Sequence, residues 1–266
     1  MDIWRIIRYF YHKNEPMDLS LFQLVNLVLV ALLLFLALRF LWMTLLNPFS
    51  QPAAWKEARR ERRIPAPLLR RERLYPDKVR FYTWWLQVER LKQEQVPGAF
   101  AELGVYQGES ARILRRMDPE RKFYLFDTFE GFPAEDLEGE TGKAATYTSR
   151  NFADTSVSQV LKQIGGNDHI VLCPGYFPHS AVPATSETFA LVHLDADLYR
   201  PTLAGLTFFY PRLNPGGVIL IHDCNAKWPG VIRAVDEFCR TIPEVPVLIP
   251  DREGTLLIVK NVRRKT

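Results

Sequence analysis

Leu19 to Leu38 is an almost unbroken apolar run, with only the uncharged Ser20, Gln23 and Asn26 as exceptions. A helix of about 20 residues at 1.5 Å per residue is roughly 30 Å long, the hydrocarbon thickness of a bilayer. Arg39 and Trp42 follow at the depth where snorkelling bases and aromatic belts are expected. The run is longer than the apolar region of a cleaved signal peptide, about 7–15 residues. It is also more uniformly apolar than a buried core helix. It predicts a transmembrane helix over 19–42, preceded by a basic and aromatic lead over 1–18 that suits a membrane interface.

Beyond the span the pattern breaks up. Pro48, Pro52, Pro65, Pro67 and Pro76 punctuate 43–75, which reads as a basic linker with one short helix near Trp55–Arg63. Val79, Tyr82, Leu86, Val88 and Leu91 give Asp77–Gln95 a mostly apolar helical face, closed by Pro97-Gly98. Strands and helices then alternate. Strands are expected at Phe100–Gly104, Lys122–Asp127, His169–Cys173, Phe189–Asp195 and Val218–Asp223. Helices are expected at Glu109–Met117, Val157–Ile164, Thr202–Leu213 and Gly230–Thr241. A long polar loop runs through Thr148. A terminal strand pair, Val245–Ile249 and Thr255–Lys260, turns over Asp251–Gly254. The pattern predicts a single α/β domain over 76–266, a doubly wound and mainly parallel sheet with one antiparallel strand.

Charge changes this picture only locally. The 266 residues carry 34 Lys and Arg against 30 Asp and Glu, a net charge of +4. Nucleic acid calls for a concentrated basic face on the domain, so nucleic acid is excluded as a partner. The basic residues gather instead after the span, at Lys56, Arg59, Arg60, Arg62, Arg63, Arg70, Arg71 and Arg73. Arg5, Arg8 and Lys13 form the lighter flank, so the positive-inside rule places the span's C-terminal side in the cytosol. The Arg-rich stretch reads equally as a site for anionic headgroups or as a solvated segment. Cys173, Cys224 and Cys239 show no paired spacing, which argues against a disulfide scaffold or a structural zinc. Cys224 is read as buried packing.

Two strand ends carry the chemistry. Glu102-Leu103-Gly104-Val105-Tyr106-Gln107-Gly108 turns a strand into a helix, with Gly104 for the tight turn and Gly108 for close approach. Asp127 ends the next strand, about 25 residues after Glu102, where an acid can accept from two ribose hydroxyls. Asp195 and Asp197 end another strand, and Ile221-His222-Asp223-Cys224-Asn225 ends the one after. If those strands are neighbours, Asp195, Asp223 and His222 converge on one crevice. Carboxylates there suit Mg²⁺, whereas the imidazole tilts the preference toward Mn²⁺ or another transition metal. Asp197 is read as the cap of the helix that follows. His193 reads as a core histidine, His169 as surface, and His179 as an open candidate in a loop.

Five segments together resemble the macrocin O-methyltransferase family (TylF/MycF type), class I methyltransferases that use S-adenosylmethionine. They are Glu102–Gly108; Phe126-Asp127-Thr128-Phe129-Glu130-Gly131-Phe132-Pro133; Pro174-Gly175-Tyr176-Phe177; His193-Leu194-Asp195-Ala196-Asp197-Leu198-Tyr199; and Leu213 through Asp223. The resemblance spans roughly Arg73 to Phe238. It implies a seven-stranded Rossmann-like sheet, with S-adenosylmethionine held near Glu102, Gly104, Gly108, Asp127, Thr128 and Tyr176. It implies Mg²⁺-dependent methylation of a sugar hydroxyl, with Asp195 as a metal ligand and base. Where the family shows two consecutive acids, this chain has His222-Asp223. His222 is therefore a candidate third ligand or proton acceptor beside Asp195 and Asp223, with Asn225 as a further candidate.

The implied partners are a small-molecule or lipid-linked glycan acceptor and the membrane, through the N-terminal helix. A homo-oligomer remains open. Three rival functions share parts of the pattern: methylation of a phenol or lipid precursor, a nicotinamide oxidoreductase, and a non-catalytic tethered binding protein. The missing third glycine disfavours the oxidoreductase.

Overall fold

The computed structural model describes residues 20–42, 51–165 and 168–261, so the lead over 1–18 lies outside it. The chain divides into two units, Met1–Ala53 and Ala54–Thr266.

In the first unit, α1 (Leu21–Leu41) begins with a capping box: the Ser20 hydroxyl accepts from Gln23 N at 3.3 Å, and the Gln23 side chain accepts from Ser20 N at 3.0 Å. None of its side chains is buried. Its 21 residues make it long and apolar enough to cross a membrane.

The structure corrects the described part, 51–75, of the linker expected over 43–75, and bears out its one short helix; 43–50 lie outside the described residues. From α2 (Ala53–Arg60) onward the chain is folded, and a second helix, α3 (Ala66–Leu74), follows. Trp55, Ala58, Ile64 and Leu68 are buried. They pack on α4 (Lys78–Gln93), where the Trp55 ring meets Phe81, Tyr82 and Trp85 edge-on at 5.1–5.5 Å. Such edge-to-face pairs add to the area that burial removes from water. Pro65 and Pro67 look like breakers in the sequence. In the fold they sit at the start of α3, where the missing amide hydrogens have no helical partner to lose. The side chain of Asp77 accepts from Arg80 N at 3.0 Å and so starts α4 one residue later than the apolar pattern suggests.

Seven strands then form one sheet: β1 (Ala99–Leu103), β2 (Phe123–Asp127), β3 (Ile170–Pro174), β4 (Phe189–Leu194), β5 (Leu213–Ile221), β6 (Val247–Ile249) and β7 (Thr255–Val259). The order is β3-β2-β1-β4-β5-β7-β6. β7 pairs antiparallel with both β5 and β6, so it alone runs against the rest, as expected. The helices between the strands are α5 (Glu109–Met117), α6 (Ala134–Leu137), α7 (Val157–Ile164), α8 (Tyr199–Arg212) and α9 (Pro229–Cys239). One layer contains α3, α4, α5 and α7; α6, α8 and α9 pack together as another. β4 is buried at all six positions, the mark of a strand covered on both faces.

The direction of winding reverses between β1 and β4. A crevice outside the C-terminal ends of those strands is where ligands bind in open α/β sheets. Glu102 pairs in register with His193, and His193 with Leu220. The motifs around positions 102, 195 and 222 therefore end side by side, although about 90 residues separate the first from the second.

Candidate active site

A cavity of about 580 Å³ opens at that reversal, within the usual range for small-molecule sites. It is lined by Gly104, Tyr106, Asp127, Thr128, Tyr176, Asp195, Asp197, His222 and Asp223, among others.

The β1 turn forms its floor. Gly104 has φ +87, and a Cβ there would lie 2.0 Å from the Asp195 carbonyl oxygen. Only glycine lets the ends of β1 and β4 come this close. Gly108 also has positive φ, yet a Cβ there would meet Val160 and Ile164 of α7. It does not line the cavity, so its close approach is to a neighbouring helix.

Asp127 pins this turn. Its Oδ2 accepts from Val105 N at 2.7 Å and Tyr106 N at 2.8 Å, and its Oδ1 accepts from Phe129 N at 2.7 Å. A carboxylate offers about four acceptor positions. Three amides leave room for roughly one more donor, so Asp127 suits a single ribose hydroxyl better than the pair expected. Thr128 donates to Gly131 O at 2.6 Å and closes the next turn. Tyr176 donates to Asp136 Oδ1 at 2.9 Å and ties α6 to the cavity wall. Above them Phe132 stacks on Tyr147 at 5.4 Å, and Phe152 meets Tyr106 edge-on at 5.0 Å. Phe132 and Tyr147 come from the long polar loop, where no periodicity marked them.

Glu102 is placed elsewhere. It is fully buried, does not line the cavity, and faces His193 Nδ1 at 2.8 Å while accepting from Ser110 Oγ at 2.5 Å. Its link to the cavity runs through Ser110, which lines the wall. His193 is the core histidine expected, with Trp84 edge-on to its ring at 5.2 Å. His179 lies in a short 3₁₀ helix off the cavity, and Cys224 is buried.

The β4 and β5 ends supply the reactive cluster. One nitrogen of His222, Nδ1, lies 2.8 Å from Asp195 Oδ1 and 3.0 Å from Asp223 Oδ2. Neither contact has the direction of a hydrogen bond, and both ring nitrogens and Asp223 Oδ1 are buried without a partner among the described residues. Asp195, His222 and Asp223 each present a ligand atom within 4.8 Å of the others. Donor atoms that converge without bonding one another match the demands of a shared cation. Burial opposes charge on His222, but the two facing carboxylates outweigh it and push its pKa up to about 10. Burial likewise opposes charge on Asp195, yet the imidazolium holds its carboxyl below the usual carboxylate range.

Asp197 is not the helix cap expected. Leu198 occupies that position, and Tyr199 N donates to Glu140 Oε1 at 2.7 Å. Asp197 turns into the cavity with φ +59, and Asp223 has φ +62. Aspartate is among the few residues that tolerate this region, and such strain concentrates at functional sites. Burial and the charges of Asp195 and Asp223 hold the Asp197 carboxyl well above its ordinary pKa. The Asp-x-Asp spacing carried this signal; the capping reading hid it.

Two wall residues were not singled out by the sequence. Tyr75 and Trp84 both line the cavity, with ring centroids 5.3 Å apart.

Relatives were compared with this geometry. A 30% identical relative, the demethyldecarbamoylnovobiocin O-methyltransferase of Streptomyces niveus, aligns over 63% of this chain and 68% of its own length. The tetracenomycin-C 4'-O-methyltransferase of Streptomyces olivaceus, whose full name specifies a dimethoxy-rhamnosyl group, is 31% identical over 51% of this chain. The mycinamicin III 3''-O-methyltransferase of Micromonospora griseorubida is 32% identical. The chain spans only 56% and 59% of the length of these last two. Among solved structures, the O-methyltransferase NovP superposes with a TM-score of 0.60 at 25% identity, over 70% of this chain and 81% of that one. The calicheamicin methyltransferase CalS11 gives 0.54 at 26%, over 67% and 79%. The family model described as macrocin-O-methyltransferase (TylF) matches residues 77–247, the whole run from α4 to β6, and the chain belongs to that family.

Proposed function

We propose that this chain is a membrane-tethered, S-adenosylmethionine-dependent O-methyltransferase acting on a sugar hydroxyl, with a divalent cation held by Asp195, His222 and Asp223. One observation carries the reading: acids and an imidazole from two neighbouring strand ends meet, with unpaired buried atoms, in the cavity beside the Gly104 turn. The rhamnosyl group in the name of one relative supports a sugar acceptor.

The cavity residues fit both groups. Asp127 retains an acceptor position beside the Gly104 turn, and Tyr106, Phe132, Tyr147 and Phe152 provide apolar walls for a nucleoside. Bound S-adenosylmethionine supplies a sulfonium methyl, and its sulfur keeps the electron pair of the broken C–S bond. A Mg²⁺ or Mn²⁺ ion would lower the pKa of a hydroxyl beside it. The protein does the rest. Asp195, His222 and Asp223 fix where the acceptor oxygen sits, and orientation of this kind removes about 7–11 kcal/mol from a bimolecular barrier. Asp195 Oδ takes the acceptor proton as the new O–C bond forms, while Asp197, held neutral, donates rather than repels. A cation there would be held by Asp195, Asp223 and the neutral form of His222, so its binding would be linked to loss of the imidazolium proton.

Tethering rests on α1. Twenty-one residues rise roughly 32 Å, enough to cross a hydrocarbon core. The heavier basic flank supports a cytosolic position for the catalytic unit.

Calorimetry with S-adenosylmethionine, with and without Mg²⁺, tests the binding reading, and labelled-methyl transfer into glycan and lipid extracts identifies the product. Full turnover by Asp195→Asn, together with indifference to chelation, would overturn the mechanism.

A further inference from the structure

The first turns of the folded unit carry a charge that the site does not use. Residues 56–73 hold eight Lys and Arg against three Glu. On α3 the segregation is sharp. Its one acid, Glu72, is buried and accepts from the Tyr82 hydroxyl at 2.7 Å, and Leu68 is buried beside it. Pro67, Arg70, Arg73 and Leu74 are exposed, and they fall three or four residues apart on one side of the helix. Leu74 is 60% exposed, unusual for a leucine in a folded layer. Among the described residues, Lys56, Arg59, Arg62, Arg70 and Arg73 have no acidic partner, whereas Arg63 and Arg71 are paired with Glu61 and Glu109. A helix with bases and an apolar side chain on its outer face has the composition of an interfacial element.

We propose that the exposed face of α3, next in the chain to the unpaired bases Lys56, Arg59 and Arg62, is a docking surface for the anionic headgroups of a bilayer. Charge complementarity and chain length argue for this occupant. Leu41 ends α1 and Ala53 begins α2, twelve residues later. Twelve residues reach at most roughly 40 Å even when fully extended. Given the tether under Proposed function, the basic face can reach a headgroup layer, whose potential attracts bases within about 10 Å at ordinary salt.

Docking has a consequence for the acceptor. Tyr75, the residue directly after Leu74, lines the cavity. One Cα–Cα step, about 3.8 Å, separates the face that meets the bilayer from the wall of the site. Docking would therefore hold one wall of the site close to the headgroup layer, which favours a sugar carried on a membrane lipid over one free in solution as the acceptor.

The full chain is reconstituted into phosphatidylcholine vesicles, or into vesicles with one quarter phosphatidylglycerol, each containing a headgroup spin-labelled lipid. A fluorophore on Leu74→Cys reports proximity, and the same label on Val182→Cys, 72% exposed in the native chain, is the control. The unsubstituted chain gives the background from the native cysteines. Docking predicts roughly twofold stronger quenching at position 74 in the anionic vesicles, lost in high salt and in a variant that also carries Arg70→Glu and Arg73→Glu. Position 182 should show no such dependence.

Carbonate extraction reads the tether separately. A chain that resists extraction but shows equal quenching at both positions overturns the docking surface and leaves the tether standing. A chain that carbonate strips, yet is quenched at position 74 beforehand, supports docking and overturns the tether. A chain that is both stripped and unquenched overturns both. The methyl-transfer reading is decided by none of these outcomes, because calorimetry with S-adenosylmethionine measures it alone.

Discussion

Two carboxylate–imidazole pairs lie within a few residues of each other on this sheet, and they differ in whether they bond each other in the core or face the cavity. Glu102 and His193 hydrogen-bond at 2.8 Å between β1 and β4, with Ser110 donating to the same acid oxygen and Trp84 against the ring, while Glu102 Oε2 and His193 Nε2 stay without a partner among the described residues. Asp195 and His222 are also 2.8 Å apart, between β4 and β5, but Asp223 and Asp197 crowd in and the donor atoms stay unbonded. The first pair holds together the strands beneath the cavity. The second presents several acceptors to a space large enough for a ligand. The same residue types take opposite roles because one pair ends before the strands do and the other lies just beyond them.

The largest test removes the outer acid. Asp195→Asn should lower the methyl-transfer rate of the folded protein by about 10²–10⁴-fold, the usual worth of a positioned base. An unfolded variant with normal specific activity in its folded fraction would reverse the assignment. The complementary test is Glu102→Ala. It strands the buried His193 and Ser110 and should cost about 3 kcal/mol in denaturant unfolding, with S-adenosylmethionine affinity retained in the folded protein. A variant as stable as the parent but unable to bind the cofactor would make Glu102 a cofactor residue after all.

His222→Asp restores two consecutive acids. Oxygen ligands favour Mg²⁺ and imidazole favours transition metals, so the variant's activity should shift from Mn²⁺ toward Mg²⁺ by roughly an order of magnitude. Equal ratios in variant and parent would show that the ring is no ligand.

A smaller effect separates the two acids by pH in the metal-free protein. Burial raises the Glu102 pKa, with His193 and Ser110 only partly opposing it, whereas the Asp195 pKa is lowered once His222 overcomes burial. Glu102 thus destabilises the fold while ionised, and the strain is relieved as pH falls through its raised value. Asp195 contributes stability above the unfolded value, about 3.9, that disappears as pH falls through its lower one. Carbon-13 carboxyl shifts should show Glu102 taking its proton first; the reverse order would break the contrast.

Periodicity and turn chemistry made much of the architecture readable. Glu109–Met117 and Val157–Ile164 match the helices to the residue, because Gly108 and Gly165 mark one end of each with left-handed backbone. The prolines that seemed to dissolve 43–75 concealed α3, since a breaker and a helix-starting proline are alike until the packing is known. Asp195, His222 and Asp223 were identifiable as strand-end residues, and their convergence required only that β4 and β5 be adjacent.

By itself the chain determined local matters: an apolar run long enough for a bilayer, the alternation that makes a parallel sheet, and acids at the ends of particular strands. Those follow from side-chain period and backbone stiffness, which act within a few residues. Tertiary structure decided which carboxylate is sealed in the core and which faces the cavity, that Asp197 joins the cluster instead of capping α8, and that Tyr75 reaches the site. Each of these depends on desolvation and contact between residues distant in sequence, and no short-range pattern encodes which atoms will be left without a partner.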